Sequence, residues 1–160
     1  MVLVVEDEVL VRMVIADLLQ EGGFKTIEAA DPAEALALLE ARRDISLLVT
    51  DVNMPGLDGF ALARHVADRW PTIGIIVSSG RVQPQPGDLP EGALFVPKPW
   101  SNEGLLRQVR ECAMRRSTRF ASNAGEDAFR PEPSRQERAA WENGRPPPAA
   151  SSRRSPEGGR

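Results

Sequence analysis

Ile45-Ser46-Leu47-Leu48-Val49-Thr50-Asp51 is a short, mostly apolar run ending in a carboxylate, and Val52-Asn53-Met54-Pro55-Gly56-Leu57-Asp58-Gly59 turns the chain straight after it. An apolar run of this length, bounded by turn signals, reads as a buried strand of a parallel sheet with helices on both faces. In open α/β sheets the chemistry gathers outside the carboxyl ends of the strands. Asp51 therefore stands at the mouth of a cleft, and the rest of the chain has to say what stands there with it.

Upstream, Val2 to Val5 is an apolar strand closed by Glu6-Asp7-Glu8. Helical spacing follows from Val9 to Gln20, with Leu10, Met13, Val14 and Leu18 as its apolar positions, and Gly22-Gly23 stops it. Phe24 to Glu28 reads as a second strand. Asp31-Pro32-Ala33-Glu34 is a well-formed helix start, with a capping carboxylate, a proline at the first helical position and an acid that completes a capping box. That helix runs to about Arg42. Downstream, Gly59 leads into a helix on which Phe60, Ala63, Ala67 and Trp70 share a face until Pro71 ends it. Ile73 to Val77 is a fourth strand leading to Ser78-Ser79-Gly80. Leu94 to Val96 is a fifth, leading to Pro97-Lys98-Pro99. Ser101 caps a last helix to about Arg116, with Leu105, Val109, Cys112 and Ala113 facing inward.

Strands alternating with helices define a doubly wound, five-stranded parallel sheet in one domain. One unit departs from the pattern. Between the fourth and fifth strands, Pro84, Pro86 and Pro90 each remove a backbone donor and restrict the preceding residue, so an irregular segment replaces a regular fourth helix. From Ser117 onward the character changes. Residues 1–116 carry 12 basic and 17 acidic side chains, whereas 117–160 carry 8 and 6, with six prolines and no apolar periodicity. The expected division is an ordered domain at 1–116 and a disordered tail at 117–160. A docking segment around Ala139-Ala140-Trp141 is the minor functional alternative for the tail.

The net charge of −3 gives no basic field for non-specific nucleic-acid binding. The apolar runs fall short of a membrane span. The first residues lack the basic flank and cleavage site of a signal peptide. Cys112 is the only cysteine, which excludes an internal disulfide and suits a reducing cytoplasm.

The topology collects Glu6 and Asp7 from the first strand, Asp51 from the third, Ser78 from the fourth and Lys98 from the fifth. Converging carboxylates repel, and a hard divalent cation such as Mg²⁺ resolves the repulsion while leaving positions for phosphate oxygens. A lysine and a hydroxyl beside them supply a point charge and a hydrogen-bond donor. The composite is a site for phosphoryl transfer to a carboxylate. Each member also has a plainer reading. The paired acids suit the N-terminus of the first helix, Ser78 suits a turn, Phe95 suits the core and Lys98 suits the surface. Ser79 competes with Ser78, because the spacing from Asp51 separates the two only weakly. Asp58 reads as a helix cap and His65 as a solvated helix residue.

Four motifs, in this order on these units, resemble the receiver domain of two-component response regulators: Val5-Glu6-Asp7-Glu8, Thr50-Asp51 through Gly59, Val77-Ser78-Ser79-Gly80 and Phe95-Val96-Pro97-Lys98-Pro99. The resemblance covers about residues 1–116. It implies a flavodoxin-like (CheY-like) fold of the single-domain type. It also implies phosphorylation of Asp51 by a histidine kinase or histidine phosphotransfer protein, without enzymatic turnover of an external substrate. Mg²⁺ (or Mn²⁺) would be held by Asp7, by Glu6 through water, by Asp51 and by the Asn53 backbone carbonyl. Ser78 and Lys98 would take phosphoryl oxygens, the Lys98-Pro99 bond would be cis, and Ser78 with Phe95 would form the switch that phosphate biases. A cytoplasmic setting and an unidentified downstream protein follow, with neither DNA nor membrane as partner, and the missing helix puts family-style dimerisation in question. A receiver detached from a hybrid kinase and a degenerate receiver acting by binding alone are the alternatives of role. A transcription factor lacks its recognition helix here. A haloacid-dehalogenase-type hydrolase finds only a loose echo of its motif in Asp51-Val52-Asn53.

Overall fold

The computed structural model describes residues 1–122, with side chains through Arg115. Five strands, β1 (Val2–Val5), β2 (Thr26–Ala29), β3 (Leu47–Asp51), β4 (Gly74–Ser79) and β5 (Leu94–Pro97), form one parallel sheet in the order β2-β1-β3-β4-β5. Four helices connect or follow them: α1 (Val9–Glu21), α2 (Pro32–Ala41), α3 (Gly59–Arg69) and α4 (Asn102–Ser122).

The central strands are buried on both faces, so strand alternation divides their side chains between two cores. Leu3, Val5, Leu48, Ile75 and Val77 pack with α2 and α3. Val2, Val4, Leu47, Val49, Ile76 and Val96 pack with Ile15, Leu18 and Leu19 of α1 and Leu105, Val109 and Cys112 of α4. Cys112 is a buried thiol whose burial raises its pKa, and it lies against the backbone of Ile75.

Local signals act as the sequence suggests at most element ends. Asp31 Oδ1 accepts from the Glu34 N–H at 2.8 Å while Glu34 Oε2 accepts from the Ala30 N–H, one residue earlier than a standard capping box. Asp58 Oδ1 accepts from the Ala61 N–H at 2.7 Å and starts α3. Gly23, at φ +88°, turns the chain out of α1.

The apolar positions Leu10, Met13 and Val14 of α1 point outward, and the helix buries Ile15, Ala16, Leu18 and Leu19. Two boundaries differ from the sequence reading. β2 begins at Thr26 rather than Phe24. α4 continues to Ser122 rather than stopping near Arg116. The remaining tail expectation, 123–160, lies outside the described residues.

The proline-rich stretch between β4 and β5 forms turns and no helix. It is held locally by Asp88, whose carboxylate accepts from the Gln85 N–H at 2.7 Å and whose carbonyl accepts from Arg64 Nη1 at 2.9 Å. Leu89 and Ala93 close over the α2/α3 core where a helix would otherwise lie.

Candidate functional site

β1 and β3 are neighbours in register, with Val5 beside Thr50, so the residues that follow, Glu6 and Asp51, emerge side by side at the carboxyl edge. β4 pairs Ser78 with Asp51, and β5 pairs Val96 with Ser78. Lys98 then follows β5, where its backbone N–H is held by the Ser79 carbonyl at 2.9 Å and its peptide bond to Pro99 is cis.

The Lys98 ammonium joins the two acids. Nζ donates to Glu6 Oε2 at 2.8 Å and to Asp51 Oδ1 at 2.7 Å. Glu6 is 2% exposed and Asp51 7%, and Lys98 supplies the counter-charge that acids this buried require. Burial holds the Glu6 carboxyl above the ordinary carboxylate range against the opposing pull of Lys98. Burial works against the Lys98 ammonium, yet its hydrogen bonds to Asp51 and Glu6 outweigh that and hold it above the ordinary lysine range. The second oxygen of Asp51 accepts from the Asn53 N–H at 2.7 Å, so the turn after β3 fixes the carboxylate at both oxygens.

The trio of converging acids expected from the sequence is, in the structure, a pair around Lys98. Among the described residues, no three metal-ligating side chains form a ready cluster. Asp7 is half-buried beside the pair and makes no hydrogen bond or ion pair among the described residues. The donors are all hard oxygens, and Asp7 keeps its carboxylate uncommitted, so the residues present suit Mg²⁺ or Mn²⁺ in kind.

The two serines take opposite roles. Ser78 Oγ donates to the Val96 carbonyl at 2.9 Å and accepts from Trp100 Nε1 at 3.2 Å, which binds it into the α1/α4 face. Ser79 Oγ accepts from Asn53 Nδ2 at 3.1 Å and from the backbone N–H groups of Arg81 and Val82. Its own proton has no acceptor among the described residues. Ser78 thus spends its proton on the Val96 carbonyl, whereas Ser79 keeps its own. Phe95 is half-buried against the α2/α3 core and borders a shallow groove with Trp100, Gly104 and Arg107. His65 sets its ring edge-on to Trp70 at 6.2 Å, away from the site residues.

Sequence reasoning missed three contributors. Trp100 gave no signal, because its role depends on the fold bringing it to Ser78. Arg12 gave none either, since its Nη1 reaches back to the Glu6 carbonyl at 2.6 Å. Gly59 was legible as a helix start but not as a close approach. A Cβ there would collide with the Asp51 carbonyl oxygen.

Residues 2–110 match the response regulator receiver domain. The chain belongs to that family. Among curated relatives, this receiver is 38% identical over 116 residues to the sensor kinase CckA of Brucella abortus, covering 69% of this chain and 12% of the kinase. It is 34% identical over 136 residues to the transcriptional regulatory protein PdtaR of Mycobacterium tuberculosis, covering 79% of this chain and 62% of that protein. The chain spans 16% and 24% of the plant regulator ARR21 and of FleR of Pseudomonas aeruginosa, small parts of longer relatives. Among solved structures, the receiver of the hybrid histidine kinase CckA is 37% identical, with a TM-score of 0.60 over 69% of this chain and 96% of that one. Chemotaxis protein CheY4 of Vibrio cholerae is 28% identical, with a TM-score of 0.63 at the same coverages. Among the described residues, no helix is long and apolar enough to cross a membrane.

Proposed function

We propose that this receiver accepts a phosphoryl group on Asp51 from a phosphohistidine of a histidine kinase or histidine phosphotransfer protein and passes the signal on through a change of surface. The observation that carries the reading is the Asp51 carboxylate, buried at the sheet edge and held by Lys98 Nζ on one oxygen and the Asn53 N–H on the other. A carboxylate oxygen attacks phosphorus, the P–N bond breaks, and the leaving imidazole keeps the bonding pair and takes a proton. Asp7, Glu6, Asp51 and the Asn53 carbonyl would hold Mg²⁺, which when bound neutralises phosphoryl oxygens. Lys98 follows the transferred charge by exchanging its bond to Asp51 for one to a phosphoryl oxygen. Ser79, with its free proton, takes another oxygen in place of Ser78, and in doing so leaves the Asn53 amide. Phe95, next along the sheet, is the residue proposed to respond.

The donor needs a surface beside the mouth. α1 starts three residues after Glu6 and exposes Val9, Leu10, Met13 and Val14 on one face, with Leu10 78% exposed. We assign that face to an apolar helix of the phosphodonor. The setting proposed is the cytoplasm, with no DNA or membrane partner and an unidentified protein target. The role proposed is that of a stand-alone receiver. The likeness to the receiver of the hybrid kinase CckA supports a second role, as such a kinase's own receiver serving as phosphate shuttle or sink.

Intact-mass measurement after incubation with Mg²⁺ and a small acyl phosphate tests the acceptor. One phosphoryl group should add to the wild type and be absent from Asp51→Asn and from a chelated sample. No gain where a control receiver is labelled would leave a degenerate receiver that acts by binding alone. Steady turnover of a generic phosphate ester in place of stoichiometric labelling would point to a hydrolase.

A further inference from the structure

The turn that carries Asp7 is tied down by one residue from two sides. Arg12 Nη1 donates to the Glu6 carbonyl at 2.6 Å, and the Arg12 backbone N–H donates to the Glu8 carbonyl at 2.9 Å. The peptide before Asp7 therefore hangs on the Arg12 side chain, and the Glu8–Val9 peptide, one further on, on the first backbone bond of α1. The Arg12 side chain is 14% exposed, and its Nε lies 3.4 Å from Glu28 Oε2 on β2, so the guanidinium is itself held from behind. Asp7 has no hydrogen-bond partner of its own among the described residues. Its direction is set by the backbone that Arg12 fixes.

Resting on the Mg²⁺ reading above, we propose that Arg12 is a positioning residue for the metal, acting through the Glu6 carbonyl to aim Asp7. Groups that orient a ligand without touching the metal change affinity by about tenfold or more when removed. Electrostatics alone argues the other way. A cation beside a cation site opposes metal binding, so if Arg12 acted only as a charge, deleting it would tighten the site. The two accounts differ in sign.

The test is Mn²⁺ affinity of the unphosphorylated chain, measured from the loss of the free-ion electron paramagnetic resonance signal, with thermal unfolding in chelator run in parallel. Arg12→Ala should weaken binding about tenfold. Arg12→Gln removes the charge and is two atoms too short for the Glu6 carbonyl, so it should weaken binding as Arg12→Ala does, whereas Arg12→Lys, long enough to approach that carbonyl, should recover most of the loss. Arg12→Ala that lowers the unfolding temperature at unchanged affinity would reduce Arg12 to a structural residue and overturn the proposal. Tighter binding in Arg12→Ala and Arg12→Gln would overturn it in favour of simple charge. A wild type that binds no Mn²⁺ is a separate outcome, which removes the metal reading itself and this proposal with it.

Discussion

Lys98 is the residue on which the site's energetics turn. Among the described residues it is the one cation bridging two nearly buried carboxylates, so replacing it strands both. Losing one partner of a buried pair typically costs about 3–5 kcal/mol, and the 24% exposure of Lys98 places this case at the lower end. Lys98→Met in chelator should lose about 2–4 kcal/mol in urea unfolding. The deficit should shrink on acidification, because Glu6, already held above the ordinary value of 4.5, can then take up a proton. The lysine has the opposite pH window. A folded pKa raised above 10.5 contributes stability that is complete below that value and disappears as pH rises through the folded pKa. Alkaline titration should therefore destabilise the wild type more steeply than Lys98→Met, and parallel slopes would contradict the bridge. At this scale the sequence shows types and order well. Asp51, Glu6 and Lys98 each end a strand, and the parallel register does the rest. It did not separate Ser78 from Ser79, because adjacent hydroxyls at a strand end differ only in which face they take, and only the fold brings Trp100 to one and Asn53 to the other.

Among the elements, the junction of β3 and α3 is the tightest. Gly59 donates its N–H to the Val52 carbonyl at 3.0 Å, and an added Cβ would meet the Asp51 carbonyl oxygen and carbon and the Val52 Cα, all of them backbone. Nothing at that contact is a flexible side chain, so relief requires moving α3 away from the strand that carries the phosphoacceptor. Gly59→Ala should cost about 2–3 kcal/mol and also slow labelling of Asp51 by acyl phosphate. Labelling at the wild-type rate in the folded variant would show that the two elements are not coupled. Helix starts were readable because caps are local: Asp31, Asp58 and Ser101 each accept from a backbone N–H three residues on. The end of α4 was not. Past Cys112 the described side chains offer the core only the partly buried Ala113, and the Glu111–Arg115 pair at 2.6 Å supports the helix from its surface. Composition that resembles a linker can still continue a helix already nucleated on a core.

Across the whole molecule, alternation of strand and helix was sufficient to give a five-stranded parallel sheet and the edge where chemistry gathers, while the order β2-β1-β3-β4-β5 is visible only in the fold. Three prolines were sufficient to remove the helix between β4 and β5. The spacing of Leu10, Met13, Val14 and Leu18 marked α1 as a helix without saying what covers each position, and of these four the described chain covers only Leu18. Val9, Leu10, Met13 and Val14 lie next to the acid turn, with Glu8, Asp17 and Glu21 exposed around them. Covering Leu10 and Met13 is worth about 1–2 kcal/mol each, enough to separate a docked donor from a passing one. Leu10→Ser with Met13→Ser should therefore leave labelling by acyl phosphate unchanged. Phosphoryl transfer from a histidine kinase that labels the wild type should fall by about tenfold or more. Unfolding should shift by no more than about 0.5 kcal/mol, since both side chains are already exposed. Equal loss with both donors would mean that the substitutions had disturbed the neighbouring acid turn. Equal retention with both would move the docking surface off α1.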